Sequence, residues 1–269
     1  MLTYPNIDPV IFSLGPLQVR WYGLMYILGF IATYLLVKHQ ARRFQWTQLL
    51  THLDNLNLAL IAGVILGGRL GYVLFYNLSY YLQHPLEIFA TWQGGMSFHG
   101  GCIGVLVCGA LFSRRYNIGF WKSADLYVVT VPIGLGLGRI GNFMNGELYG
   151  RVTEVPWGMV FPGGGPLPRH PSQLYEVLLE GVFLFIILWS LKARPWHDKH
   201  NRWWPHGSML ALFLILYGTF RFMVEFVREP DPQLGRVLAG MTMGQLLSLV
   251  MAISGILLWI RLQKVPKTS

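Results

Sequence analysis

Charge is scarce in this sequence. Of 269 residues only 12% are Asp, Glu, Lys or Arg, about half the share that soluble domains carry, so the chain cannot cover a globular surface of its size. Cysteine is nearly absent too. Cys102 and Cys108 are the only two, and six positions along one apolar segment is about 9 Å of helical rise, too far for a disulfide. The first 19 residues contain neither Lys nor Arg, so the basic region that opens a secretory signal is missing, and the first apolar run is expected to stay as an anchor. No serine-hydrolase elbow, CxxC pair or Walker loop occurs.

What the chain has is apolar length. Hydrophobic residues make up 53% of it and aromatics 14%, and the apolar runs approach the roughly 17–25 residues needed to cross a bilayer. Seven segments are predicted, at about 20–37, 56–77, 97–112, 125–142, 174–191, 207–227 and 239–260. The fold class is therefore all-α, a polytopic membrane protein forming one integral domain over 1–269, with a small Gly- and Pro-rich extracytoplasmic head at 143–173.

The cations sort by loop. Lys38, Arg42 and Arg43 follow segment one, and Arg114, Arg115 and Lys122 follow segment three. Lys192, Arg194, Lys199 and Arg202 follow segment five, and Arg261, Lys264 and Lys267 follow segment seven. All six lysines thus fall on one side of a seven-crossing topology, which the positive-inside rule makes the cytoplasm, with the N-terminus outside. The net charge of +9 belongs to this bias and calls for no nucleic-acid partner.

The eight remaining cations are all arginines: Arg20, Arg69, Arg139, Arg151, Arg169, Arg221, Arg228 and Arg236. Arginine offers a rigid fork of donors that matches carboxylate or phosphate, so an anion is expected on the outer side. The alternative is that outer loops merely avoid lysine. Arg69, Arg139 and Arg221 lie inside apolar runs, each about 20 Å from the inner boundary and roughly 10 Å from the outer one. A charge at such depth costs about 2.5–3.5 kcal/mol even on lenient scales. Three readings stand: ion pairs, for example with Glu176 and Glu180 at i,i+4, upward snorkelling of the side chains, or a cavity for an anionic group such as a phospholipid phosphate.

His99 lies at the outer end of segment three between Gly94, Gly95, Gly100 and Gly101, which suggests a bent backbone presenting a proton acceptor or a hydrogen-bonded interfacial side chain. Other outer-side candidates are Tyr22, Asn142, Glu147, His170, Glu225 and Arg228. Glu225, at i+4 from Arg221, reads as the partner that orients its guanidinium. His197, His200 and His206 share a loop, but its cytoplasmic placement and its tryptophans fit an interfacial belt better than a metal site. Gly136-Leu-Gly138-Arg-Ile-Gly141 matches the dinucleotide fingerprint, yet it sits in an apolar crossing without a βαβ unit.

Six motifs then carry a resemblance: RWYGLMY (Arg20 to Tyr26), GGRLGYVLFYN (Gly67 to Asn77), GGMSFHGG (Gly94 to Gly101), GRIGNFMNGELYG (Gly138 to Gly150), PRHPSQLYE (Pro168 to Glu176) and YGTFRFMVEFVREPD (Tyr217 to Asp231). From about Asp8 to Gln245 the chain resembles the bacterial prolipoprotein diacylglyceryl transferase family. The resemblance implies an inner-membrane enzyme that moves a diacylglyceryl group from phosphatidylglycerol to the lipobox cysteine of a preprolipoprotein, releasing glycerol 1-phosphate without metal or cofactor. It makes Arg139, Arg221 and His99 the residues needed for activity, and Tyr22, Asn142, Glu147 and Gly150 further functional positions. Arg20 carries little weight in it. A transporter for an anionic lipid would also use buried arginines, although no internal repeat is visible, and a helix-assembly protein is the third class.

Overall fold

A computed structural model describes residues 2–5, 7–15, 17–196, 204–229, 236–238 and 240–264. Helices occupy all seven apolar segments. α1 spans Trp21–Arg43, α2 Thr47–Tyr76, α3 Leu78–Gln83, α4 Phe98–Arg115, α5 Phe120–Val128 and α6 Val131–Met144. α7 (Ser172–Glu176) passes through a π-helical stretch, Val177–Phe183, into α8 (Leu184–Leu191), followed by α9 (Ser208–Val224) and α10 (Met243–Lys264).

Among the described residues, four stretches are long and apolar enough to cross a membrane alone: Trp21–Arg43, Thr47–Tyr76, Ser172–Trp196 and Met243–Lys264. α5 and α6, bent by 41°, make a fifth as a pair. The bend falls where Thr130 hydrogen-bonds back to the Tyr127 carbonyl and Pro132 opens the next helix without an N–H. Burial is inverted relative to a soluble protein: Leu66, Phe75, Ile103 and Leu257 are exposed while Gln173, Glu176 and Glu180 are wholly buried. The molecule is a polytopic helical membrane protein.

Two compact units are distinguished, Met1–Val37 with Ala124–Ser269, and Lys38–Ser123. In the second, α2 and α4 pack backbone to backbone. A methyl on Gly63 would come within 2.7 Å of the Gly104 carbonyl oxygen, and one on Gly71 within 2.8 Å of Gly100 Cα. With Gly67 between them, these glycines recur every fourth residue, the small-residue stripe that lets membrane helices approach closely.

In the first unit α6 touches the π-helical stretch through Gly136 and Gly181, and Val128, Val129, Leu184, Leu188 and Met209 pack beside them. α9 is capped from a distance: the buried Asp125 carboxylate accepts from the backbone N–H of Gly207 (2.7 Å) and Met209 (3.0 Å). Short strands complete this unit. β1 (Leu2–Thr3) pairs parallel with β4 (Met159–Val160), while β2 (Val10–Leu14) pairs with β3 (Leu17–Arg20) and β5 (Arg236–Leu238) with β6 (Met241–Thr242). Tyr4, Met159 and Phe161 form a small core beneath the first pair.

Candidate active site

Three guanidinium groups converge on one carboxylate. Glu176, at the end of α7 and wholly buried, receives Arg139 Nε on one oxygen at 2.9 Å, and Arg221 Nη1 with Arg228 Nη1 (3.0 Å) on the other. Arg221 Nη2 also lies 3.0 Å from Glu225, four residues on, which in turn accepts from Thr242 Oγ1 at 3.0 Å. The ion-pair alternative is therefore realised for Arg139 and Arg221. It does not exhaust their donors, because an arginine carries five N–H groups. The side chains of Arg139, Arg221 and Arg228 keep 19%, 14% and 13% of their surface. Fixed cations that keep donors no described residue uses are what a preorganised anion site would need.

Glu180, one turn further, is wholly buried and neither oxygen accepts a hydrogen bond from a described residue; Arg221 Nη1 stands 3.8 Å away. The charge of this cluster is close to balanced by three arginines against Glu176, Glu180 and Glu225. That balance is what a low-dielectric interior requires.

A polar chain leads outward from Arg139. Its Nη1 lies 3.5 Å from Asn142 Oδ1, and Asn142 Nδ2 donates to Glu147 at 2.9 Å. Asn145 holds the same Glu147 oxygen at 3.1 Å, and Gln173 donates to the Glu147 backbone carbonyl at 2.6 Å. Tyr22 lies against Gly141 and shares a hydrogen bond with Tyr26 at 3.0 Å. Of the dinucleotide-like glycines, Gly136 and Gly141 are helix-packing positions.

Gly150 donates its N–H to the His170 carbonyl at 2.8 Å and bridges to Arg228. The His170 ring hydrogen-bonds through Nδ1 to Tyr175 Oη at 3.1 Å, and Tyr175 Oη accepts from Trp157 Nε1 at 2.7 Å. An indole N–H only donates, while a phenol can both donate and accept, so Tyr175 joins the Trp157 and His170 rings. Burial pulls the His170 pKa below the usual histidine value.

The second unit holds Arg69 and His99. Arg69, expected in one anion-binding layer with Arg139 and Arg221, is 4% exposed and its guanidinium faces backbone: Nε donates to Ile88 O (2.7 Å), Nη1 to Gly94 O (2.6 Å) and Gly95 O (3.1 Å), and Nη2 to Glu87 O (2.6 Å). His99, in the first turn of α4, is exposed and touches the Phe98 ring. Arg20 reaches Gln18 at 2.9 Å. His206 lies 3.6 Å from Asp125, while His197, His200, Lys199, Arg202 and Lys267 are outside the described residues.

Sequence reasoning treated Glu176 only as a possible ion-pair partner and did not join Arg228 to it. The signal for Glu176 was its place in an apolar run, where an acidic group needs a cation.

Residues 9–261 match the family model for prolipoprotein diacylglyceryl transferase. Several bacterial proteins are similar over almost their whole length, and each is named phosphatidylglycerol–prolipoprotein diacylglyceryl transferase. The protein of Desulfotalea psychrophila is 66% identical over 96% of this chain and 94% of the relative. That of Geobacter sulfurreducens is 55% identical over 95% of each, and that of Pseudomonas aeruginosa 52% over 97% and 95%. With a buried arginine–glutamate cluster set in a helical membrane body, and a match that runs nearly end to end, the chain belongs to the prolipoprotein diacylglyceryl transferase family.

Proposed function

We propose that this chain transfers the diacylglyceryl group of phosphatidylglycerol to the thiol of a lipobox cysteine in a preprolipoprotein, releasing glycerol 1-phosphate. The relatives' name supports the reaction. The observation that carries it is the convergence of Arg139, Arg221 and Arg228 on Glu176, which fixes three cations while leaving donors unused.

The thiolate sulfur attacks the glyceryl carbon that bears the phosphate ester, the C–S bond forms, and the C–O bond to phosphate breaks. Negative charge grows on the departing phosphate, and the N–H groups of Arg139 and Arg221 that no described residue uses stabilise it. A thiol of ordinary pKa near 8.5 reacts as the thiolate, so a proton must leave; His99, exposed on the first turn of α4, accepts it in this reading. Arg228, Glu225 and His170 hold the arginine array and the Gly150 turn in place, and Tyr22, Asn142 and Glu147 line the route to Arg139. Arg69 is assigned to architecture rather than to lipid binding. Side chains handle both the proton and the leaving group, so the reaction as proposed uses no cofactor.

The protein sits in the bacterial inner membrane with seven crossings, its basic residues inside and the reaction in the outer leaflet. Support for this sidedness comes from Arg42, Arg43, Arg114, Arg115, Arg261 and Lys264, which occupy the last turns of α1, α4 and α10. Impermeant thiol labelling in a Cys102→Ser/Cys108→Ser background tests it; modification of Cys placed at 115 from outside intact cells sinks the topology.

For the activity, the purified full chain in lipid nanodiscs is incubated with headgroup-labelled phosphatidylglycerol and a lipobox peptide. Release of labelled glycerol phosphate with a diacylglyceryl mass gain on the peptide is expected. Lipid movement without release favours a transporter, and neither product favours a purely structural role.

A further inference from the structure

The loop between α3 and α4 has an unusual backbone problem. It runs through two one-turn helices, Pro85–Phe89 and Thr91–Gln93, and presents Leu86, Phe89 and Trp92 as exposed apolar side chains. An irregular segment with such a surface belongs at the boundary of the hydrocarbon, where carbonyls that lack a helix or sheet partner must be satisfied from within the protein. Arg69 of α2 reaches four carbonyls of this loop at once, those of Glu87, Ile88, Gly94 and Gly95, the Glu87 oxygen also accepting from the Ala90 N–H at 3.0 Å. The Tyr81 ring adds a cation–π contact at 5.2 Å.

The clasp demands its glycines. Gly94 and Gly95 have φ of +86° and +78°, the left-handed region that favours glycine, and both turn their carbonyls onto Nη1. A methyl on Gly95 would also come within 2.6 Å of the Tyr72 ring and 2.9 Å of Arg69 Nη1.

Two residues later the chain is tied again. Ser97 donates its N–H to the carbonyl of Gly68, the residue before Arg69, at 2.8 Å. Its hydroxyl then caps α4 by accepting from Gly100 N–H at 3.2 Å. Gly100 itself lies on Gly67 and Gly71. The chain entering α4 is thus held by α2 at three successive points, Gly94–Gly95, Ser97 and Gly100. His99 lies within the first turn of α4, and its ring has no hydrogen-bond partner among the described residues, so the backbone of the turn sets where the side chain starts and the Phe98 ring is its neighbour.

We propose that Arg69 is a positioning residue: its guanidinium clasps the loop from Glu87 to Gly95 and thereby fixes the turn that carries His99. The functional half of this proposal rests on the reading of His99 as proton acceptor. Lysine cannot replace the clasp, because one ammonium with three donors on a flexible stem cannot reach carbonyls spread around a planar fork.

The full-length protein in nanodiscs is tested by hydrogen–deuterium exchange and by turnover. Arg69→Lys is expected to raise amide exchange of residues 94–101 at least tenfold while leaving 139–150 and 221–228 unchanged. Its kcat should fall about tenfold or more with the KM for phosphatidylglycerol within twofold. In a His99→Gln background the same substitution should cause little further loss, because both changes act through one side chain.

Unchanged exchange at 94–101 overturns the clasp. A raised KM with kcat intact makes Arg69 a lipid ligand instead, and multiplicative losses in the double variant show that it does not act through His99. Should His99→Gln turn over like the parent, the reading of His99 falls and takes the functional half with it, while the exchange result still decides the clasp. Gly95→Ala, which disturbs the same contact with Arg69 intact, must reproduce the exchange pattern; it decides the matter alone if Arg69→Lys fails to fold.

Discussion

Gly150 backs onto the carbonyl of Val227 so closely that a methyl group on the glycine would overlap the oxygen. The contact joins the turn after GRIGNFMNGELYG to the end of the segment bearing Arg221 and Arg228, and Arg151 strengthens it by donating Nε to the Arg228 carbonyl at 2.8 Å. Gly150→Ala should force these segments apart. Overpacking of this kind costs about 1–3 kcal/mol, so the thermal midpoint should drop by several degrees, and activity should fall because Arg228 shifts. An alanine variant with the parent's melting curve and turnover would remove the close approach from the argument.

Arg139→Lys and Arg221→Lys keep the charge and lose the fork. Removing one donor from a preorganised oxyanion site typically costs about 10²–10³ in rate, and a loss of that size is expected for each in the glycerol phosphate release assay. Glu176→Gln should harm stability more than either, since it leaves three guanidinium groups around a neutral amide; breaking a buried pair costs about 3–5 kcal/mol. Near-parental turnover in both lysine variants would mean that local charge alone matters.

His170 makes a pH prediction. Because burial lowers its folded pKa, the unfolded chain takes up the proton first as the pH falls below the ordinary histidine value near 6.5. The stability contributed by neutral His170 is therefore present above that pH and lost below it as the folded pKa is approached. Protonation also makes both ring nitrogens donors, so Nδ1 can then only donate to Tyr175 Oη. Trp157 fluorescence should report a loosening as the pH falls below about 6.5 that His170→Gln abolishes. An identical titration in the variant would clear His170 of the effect.

His99→Gln separates two roles. A general base contributes about 10²–10⁴-fold, and raising the pH to ionise the peptide thiol directly should restore part of what its loss removes. If the variant's pH–rate profile runs parallel to the parent's, no proton passes through His99, and the arginine array alone carries the chemistry.

The four helices long and apolar enough to cross alone were legible because hydrocarbon imposes a length on a crossing, and their apolar runs carry it openly. The pairing of Arg221 with Glu225 was legible too, being a matter of one helical turn. What escaped is non-local. Arg228 reaches Glu176 across 52 residues of sequence, and Asp125 caps a helix 82 residues downstream; no spacing rule reports such meetings. Arg69 escaped for a different reason. A buried arginine looks the same in a sequence whether its partner is a phosphate or four peptide carbonyls, because backbone acceptors leave no signature in side-chain types. The 41° break between α5 and α6 was hidden likewise, since Val129 and Thr130 read as a continuous apolar run and only Pro132 hinted at a restart.

The glycine seam between α2 and α4 sets the genetics of this unit. Every single-nucleotide change of a glycine codon that alters the residue inserts something larger, from alanine upward, or a stop. At Gly63, Gly67, Gly71, Gly100 and Gly104 the nearest atom on the far side is backbone, so the closest contact cannot shrink to make room. Loss-of-function alleles should therefore crowd onto these five codons. Suppressors should be scarce there and, when found, should restore the glycine itself rather than a neighbour, whereas the lipid-facing positions of the same helices, such as Leu66 and Ile103, drift among apolar residues without consequence.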